Sequence, residues 1–459
     1  MDTDGDGDGD PVGDAPPVGA RLAAAAALVV LAGSVALLVA FVLHHPGYLV
    51  VAAIALGLAV SAVWIALTNR RWRWLAVVAL VVVTAGAVAS MVAAGSSVLV
   101  IAGVVAGTAL SGALGTVALR HEVRRAAGHR WHDVPGAVHP VLLMNPKSGG
   151  GKVVRFRLAD EATARGIEGV VLAPGDDLET LARAAVDRGA DVLGMAGGDG
   201  SQAIVASVAA EHGLAYVCVP AGTRNHLALD LGVERDDPVG ALDAFGPARE
   251  SLIDLGTVNG RVFVNNVSLG LYAEIVASDG YRDAKVRTTA QTLEHVLGPD
   301  APPFDLQVRG PRGGLDGCQL VQVSNNPYVL DSLAGFGTRR RLDTGMLGVV
   351  AVRVDGPAEA QRLVALEVAG HVERFPGWRS WDVPSAEVLA SSTVPAGVDG
   401  ESVVLTAPVR FESRPAALRV RVAHGHPGVS PAQRRVPLAA STVVGLWALV
   451  RGRPSGLVA

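Results

Sequence analysis

The apolar pattern of this chain changes period twice. Four nearly unbroken apolar runs fill about 22–43, 48–68, 74–94 and 97–119, and none contains Lys, Arg, Asp or Glu. Each is close to the ~20 residues that a helix needs to cross a bilayer. The pattern predicts four transmembrane helices over 21–120. Before them, residues 1–20 are acidic and Gly/Pro-rich, which predicts a disordered tail. A cleaved signal peptide does not fit an acidic start followed by three further runs. After a linker at 121–138, short apolar strands alternate with amphipathic helices. "HPVLLMNP", "IEGVVLA", "DVLGMAG" and "LAYVCVPAG" read as strands, with helices between them. That alternation predicts βαβ units and a parallel sheet over 139–248. Over 249–425 the pattern shifts to short, Val-rich, turn-bounded strands such as "GRVFVNNVSLG", "CQLVQVSN" and "ALRVRVA". A tail, 426–459, carries the apolar stretch "PLAASTVVGLWALV". It is expected to lie on a membrane surface or to pack on the α/β domain.

Charge refines the membrane reading. Arg70, Arg71 and Arg73 lie between the second and third runs, and Arg120, Arg124, Arg125 and Arg130 follow the fourth. The other two connections lack Lys and Arg. Positive charge gathers on the cytoplasmic side, so both termini and the Arg-rich loop are expected there. Trp72 and Trp74 fit an interfacial belt. The net charge of −4 offers no basic field for nucleic acid. Cys218 and Cys318 both sit in apolar strands and read as buried free thiols.

Three loops at successive strand ends carry the candidate chemistry: "NPKSGGGK" (145–152), "GGDGS" (197–201) and "PAGTRNH" (220–226). In parallel sheets ligands bind beyond the carboxyl ends of the strands. Glycines there let backbone N–H groups approach a phosphate, and helix N-termini favour its charge. Candidate phosphate and nucleotide contacts are Asn145, Pro146, Lys147, Ser148 and Gly149; Gly197, Gly198, Gly200 and Ser201; and Gly222, Thr223 and Asn225. Lys152 adds positive charge. Asp199 either binds a Mg²⁺ that bridges phosphates or orders the loop by accepting backbone N–H bonds. One such loop is compatible with a structural turn. Three at one edge point to a nucleotide site.

These loops resemble the three signatures of the diacylglycerol kinase catalytic-domain family, which includes sphingosine, ceramide and bacterial lipid kinases. The resemblance runs from about 139 to 425. It implies an α/β nucleotide-binding domain followed by a β-sandwich lipid-substrate domain, with the active site in the cleft between them. It implies ATP and Mg²⁺ as cofactors and a lipid alcohol as substrate. In "AGVDGES" it implies Asp399 as general base, with Glu401 second, although the residues alone also fit a hairpin turn. Asn266 and Gly270 resemble residues near the cleft. Two positions depart from the family pattern: His226 stands where an aspartate is usual, and in "RRRLDTGML" Thr344 replaces an aspartate. Asp343 in that turn is a candidate metal ligand. Arg339, Arg340 and Arg341 before it read either as anion-facing or as a solvated cluster.

The expected molecule is a multi-pass inner-membrane lipid kinase with a cytoplasmic kinase domain. Its expected partners are the bilayer, a membrane lipid substrate and a second copy in a homodimer, but no nucleic acid. Diacylglycerol leads as substrate, with a sphingoid base or polyprenol as alternatives. A non-catalytic nucleotide-binding sensor is the alternative outside enzymology. The Lys-poor, Ala/Val/Gly/Arg-rich composition points to a high-GC bacterium.

Overall fold

The structure, a computed structural model, describes residues 16–44, 97–128, 131–270, 306–311, 313–329, 338–368, 371–434 and 440–455. The chain divides into two units: 1–126 together with 436–459, and 127–435.

In the first unit, helix α1 (Val18–His44) and helix α2 (Ser97–Gly128) match the first and fourth apolar runs. By length and composition, α1 and the window Ala102–Leu119 of α2 are each apolar enough to cross a membrane. Val18, Leu22, Val29 and Leu43 of α1 are exposed. A helix that is apolar all round suits lipid better than water. The runs 48–68 and 74–94, and the Arg-rich loop between them, lie outside the described residues. Two candidate spans are therefore described where four were expected.

Small residues bring these helices together. Ala24 and Ala27 of α1 pack with Ala118 and Leu119 of α2, and Ser111 Oγ donates to the Ala27 carbonyl at 2.8 Å. The C-terminal helix Ala440–Val450 joins the same cluster through Leu446 and Leu449. Its end meets the start of α1, where Arg21 Nη2 donates to the Val450 carbonyl at 3.4 Å. The apolar tail thus packs on the N-terminal helices, a placement that neither sequence expectation included.

The second unit begins as four parallel strands: β1 (Pro140–Met144), β2 (Glu168–Val171), β3 (Val192–Gly197) and β4 (Ala215–Pro220). Their order is β4-β3-β1-β2. Every residue of β3 and β4 is buried. This is why they read as continuous apolar runs, for both faces are covered. Helices α3 (Leu158–Ala164), α4 (Leu178–Asp187) and α5 (Asp199–Glu211) make the crossovers. Asp177 caps α4, accepting from the Glu179 N–H, as its position before the apolar face predicts.

After residue 248 the pattern becomes antiparallel, but the sheet does not stop. Strand β5 (Ala248–Val258) continues through β6 (Arg261–Phe263) into β7 (Asn266–Gly270). Strands β8 (Leu306–Gly310), β9 (Gly313–Cys318), β10 (Leu320–Asn325), β11 (Leu347–Val352), β12 (Trp378–Val383), β13 (Ser385–Leu389), β14 (Val394–Val398), β15 (Glu401–Leu405) and β16 (Val409–Val422) follow. The long strand β16 pairs parallel with β4 at Arg419–Arg421 and antiparallel with β13 and β5. One 11-stranded sheet therefore runs from the parallel part into the antiparallel part. Facing it is a six-stranded sheet, β12-β11-β10-β7-β14-β15. The two pack as a sandwich around Val258, Phe263, Val308, Val388 and Phe411 on one side and Leu269, Val323, Val349 and Ala396 on the other. Phe263 is fully buried there. Phe263→Ala is expected to cost about 3–5 kcal/mol, read as a lowered urea midpoint of the solubilised protein.

Cys218 and Cys318 are buried free thiols, as expected. Burial holds both above the ordinary thiol range, Cys318 at about 12.

Candidate active site

The three glycine-rich loops follow β1, β3 and β4, neighbours in the sheet, and they touch one another. Gly149, Gly150 and Gly151 take φ of 55°, 69° and 79° in succession. These left-handed values suit glycine and turn the loop tightly, and the Gly151 N–H closes it on the Ser148 carbonyl at 3.0 Å. The Asn145 side chain braces the turn by accepting the Lys147 N–H at 3.0 Å. A Cβ on Gly149 would lie 2.4 Å from the Ala221 carbonyl, so the first loop rests on the third. A Cβ on Gly222 would lie 2.5 Å from Gly198 Cα, so the third rests on the second. Asn225, at φ 52°, closes the third loop by exchanging two bonds with Gly222 at 2.8 and 2.9 Å.

Asp199 opens α5 and is 9% exposed. Its two oxygens accept the N–H groups of His226 and Leu227, both at 3.1 Å. These residues begin helix α6 (His226–Asp230). Of the two roles expected for Asp199, ordering the loops is thus visible directly. Each oxygen keeps one further lone pair, which fits a Mg²⁺ delivered with nucleotide phosphates, since that ion uses few protein carboxylates. Among the described residues no three His, Cys, Asp or Glu side chains gather as a metal cage. The His226 ring is held below its ordinary pKa chiefly by burial, against the opposing pull of Asp199.

Gln202 was not singled out from sequence. It is a buried polar residue on the same helix as Asp199. Its Nε2 donates to the Met195 and Val219 carbonyls at 3.0 Å, fixing the ends of β3 and β4 beneath the loops. The Tyr216 hydroxyl donates to its Oε1. Thr223 is exposed at the rim, and Lys152 Nζ reaches the Arg235 carbonyl at 3.4 Å.

Asp399 and Gly400, at φ 48° and 86°, form the two-residue turn between β14 and β15. The hairpin reading of "VDGE" is therefore correct as geometry. The carboxylate does more than turn the chain. One oxygen accepts the Val264 N–H at 2.8 Å, and the other accepts those of Asn265 and Asn266 at 2.8 and 3.2 Å. Burial raises its pKa from 3.8 to about 7, with the Asp199 charge adding to the rise and the backbone N–H groups opposing it. Glu401, two residues on, reaches α5: a Cβ on Gly200 would lie 2.3 Å from its Oε1. Its other oxygen pairs with Arg261 at 2.7 Å. The hairpin and the nucleotide loops thus meet at the start of α5.

Other expected residues lie elsewhere. Gly270 ends β7 opposite Leu320, at the far end of the strand from Asn266. Asp343 pairs with Arg341 at 2.9 Å, so its carboxylate faces a guanidinium as expected of an ion pair. Asp254 holds the turn after it, accepting from the Gly345 and Ala416 N–H groups at 2.6 and 2.8 Å. Thr344 donates to Asn326 Oδ1 through both N–H (2.8 Å) and hydroxyl (2.5 Å). The three arginines do not form one surface cluster. Arg339 is fully buried against Asp230, with Nε 2.7 Å from Oδ2, and that part of the expectation is overturned. The signal in sequence was weak, an aspartate in "HLALDLG" and an arginine 109 residues later.

Residues around these loops are similar to those of known proteins. The family profile described as diacylglycerol kinase catalytic domain matches residues 139–258. Two proteins named diacylglycerol kinase from Mycobacterium tuberculosis, strains CDC 1551 / Oshkosh and ATCC 25618 / H37Rv, are each 34% identical over 122 residues. That match takes in 25% of this chain and spans 39% of the length of each relative. A crystal structure of a diacylglycerol kinase from Bacillus anthracis str. Sterne is 15% identical, with a TM-score of 0.44, covering 63% of this chain and 98% of the other. Over residues 139–258, the chain is thus similar to the diacylglycerol kinase catalytic domain, and it spans well under half the length of the curated relatives it matches.

Proposed function

We propose that this protein is a lipid kinase that transfers the γ-phosphate of ATP to a lipid hydroxyl, with diacylglycerol as substrate and phosphatidic acid as product. The observation that carries the reading is the meeting of three phosphate-fitting loops with the Asp399–Glu401 hairpin at the start of α5. Phosphoryl transfer is mostly positioning and charge stabilisation. The glycine-rich loop at 145–152 and the start of α5 hold the phosphates. A nucleotide-borne Mg²⁺ would be held by Asp199 and would neutralise phosphate charge. Asp399 accepts the proton as the lipid oxygen attacks the γ-phosphorus. The O–P bond forms, the bond to the bridging oxygen breaks, and ADP leaves. A carboxylate with a pKa near 7 is well matched to that proton transfer.

The substrate alcohol resides in the bilayer, and α1 and α2 suit an anchor there. Tethering raises the effective concentration of enzyme at its substrate. We place the chain in the bacterial inner membrane, multi-pass, with residues 131–434 in the cytoplasm. A second reading, ATP binding without turnover, draws on one observation: both Asp199 oxygens already accept backbone N–H groups.

The test is label transfer from ATP with Mg²⁺ in mixed micelles, offering diacylglycerol, a sphingoid base, a polyprenol and a total lipid extract. Label on diacylglycerol, lost at least 100-fold in Asp199→Ala, is the expected result. Label on another lipid replaces the substrate. No label on any lipid, with ATP still bound, overturns the kinase reading in favour of the second.

A further inference from the structure

We propose that Arg339, held by Asp230, is a positioning residue that sets the placement of Asp399 relative to Asp199. The inference rests on the phosphoryl-transfer reading above, in which those two carboxylates work together.

Arg339 is 0% exposed, and its contacts form a fan. Its N–H and Nε donate to Asp230 at 3.0 and 2.7 Å. Nη1 donates to the Val264 and Asn325 carbonyls at 2.6 and 2.8 Å. Nη2 donates to Asn265 Oδ1 at 2.7 Å. The Tyr328 ring lies beside the guanidinium, 5.5 Å from its carbon to the centroid.

The partners matter because of what they hold. Val264 and Asn265 take Arg339 on their acceptor side and give their N–H groups to Asp399. Asp230 ends α6, whose first two N–H groups hold Asp199. A continuous path results: Asp199, the single turn of α6, Asp230, Arg339, the 264–265 backbone and Asp399. A planar guanidinium with several fixed donors is the side chain suited to holding such a path rigid, and an ammonium on a flexible stem is not. Catalytic groups displaced by about 1 Å lose rate on the order of 100-fold. Fixing this path is therefore worth burying a charged pair, which is seldom the most stable solution for a core.

A buried arginine also has a purely structural explanation, so the test must separate the two. Arg339→Lys keeps the charge but not the fork. Arg339→Met with Asp230→Asn removes both charges and keeps an acceptor for the residue 339 N–H. The readouts are kcat and KM for label transfer in micelles, taken well below each variant's own melting temperature. The rise in melting temperature given by a non-hydrolysable ATP analogue with Mg²⁺ is measured beside them. The expected result is a 10- to 100-fold fall in kcat in both variants, with KM for ATP and lipid within threefold of wild type and the analogue-induced rise retained. Wild-type kcat in the folded variants overturns the inference. So does loss of the analogue-induced rise, which would mean general damage to the nucleotide loops. Asp399→Asn, run in parallel, tells the two levels apart. If it keeps wild-type kcat, or the wild type labels no lipid, the underlying reading fails and this inference with it. If it is inactive while both Arg339 variants run normally, this inference alone fails.

Discussion

Asp399→Asn is expected to lower kcat by about 10²- to 10⁴-fold, the usual worth of a positioned general base. An amide has one acceptor where the carboxylate has two. The NH₂ group must then face the Val264 N–H or the pair from Asn265 and Asn266, which now bond to carboxylate oxygens. A stability loss of about 1–3 kcal/mol accompanies the change. Rates should therefore be compared on the folded fraction, with melting followed in parallel. The wild-type pH profile gives an independent check. The Asp399 pKa lies near 7 in the fold and 3.8 ordinarily, and the base form is the ionised one. Activity should fall below about pH 7 with a slope of one, and the asparagine variant should lose that limb. The sign for stability is opposite. A carboxyl raised on folding contributes stability that is complete below its unfolded pKa and is lost as pH rises through its folded pKa. Between about pH 4 and 7 the wild type should lose stability that the asparagine variant keeps. A wild-type rate that is flat from pH 5 to 8 would remove Asp399 from the base role.

Gly222→Ala is expected to weaken ATP binding and to cut kcat/KM by at least about 100-fold through displaced loops. The new Cβ would fall 2.5 Å from Gly198 Cα and 3.0 Å from Gly198 N. Both are backbone atoms and cannot swing aside as a side-chain tip would. The second and third loops must separate, which tilts the start of α5 away from the first loop. Gly150→Ala is the control. Its φ is 69°, but nothing lies within 4 Å of its added Cβ, so its cost is local strain of about 1–2 kcal/mol. Isothermal titration with a non-hydrolysable analogue should find binding nearly lost in the first and reduced less than tenfold in the second. Equal damage in both would mean that loop packing is not what the glycines protect.

The parallel part of the fold was legible because its determinants are local. Strands buried on both faces read as unbroken apolar runs, and the loops after them carry glycines that either take a positive φ, as Gly149–Gly151 do, or sit where a Cβ would strike a neighbouring loop, as Gly222 does. The shift to antiparallel strands after residue 248 was legible as a change of pattern. That β16 carries the sheet across it was not, since parallel pairing with Ala215–Val217 joins positions some 200 residues apart. In the candidate site, Asp199 and the glycine loops stood out by their place at successive strand ends and Asp399 by resemblance. Arg339 was misjudged because three consecutive arginines look like a solvated surface, and nothing local says that the first of them faces Asp230. Asp254, which braces the turn at Gly345 and the bulge at Ala416, left no local signal either.

The C-terminal helix ties residues 127–435 to the helical unit a second time. Residues 127–435 are bounded on both sides by segments of the helical unit, α1 and α2 before and Ala440–Val450 after. In covalent terms residues 127–435 are an insertion within the helical unit rather than a cargo at its end. A single break in either connection leaves it moored by the other. Only a double break sets it free, so its attachment to the helical unit tolerates the proteolytic nick to which a one-ended tether succumbs.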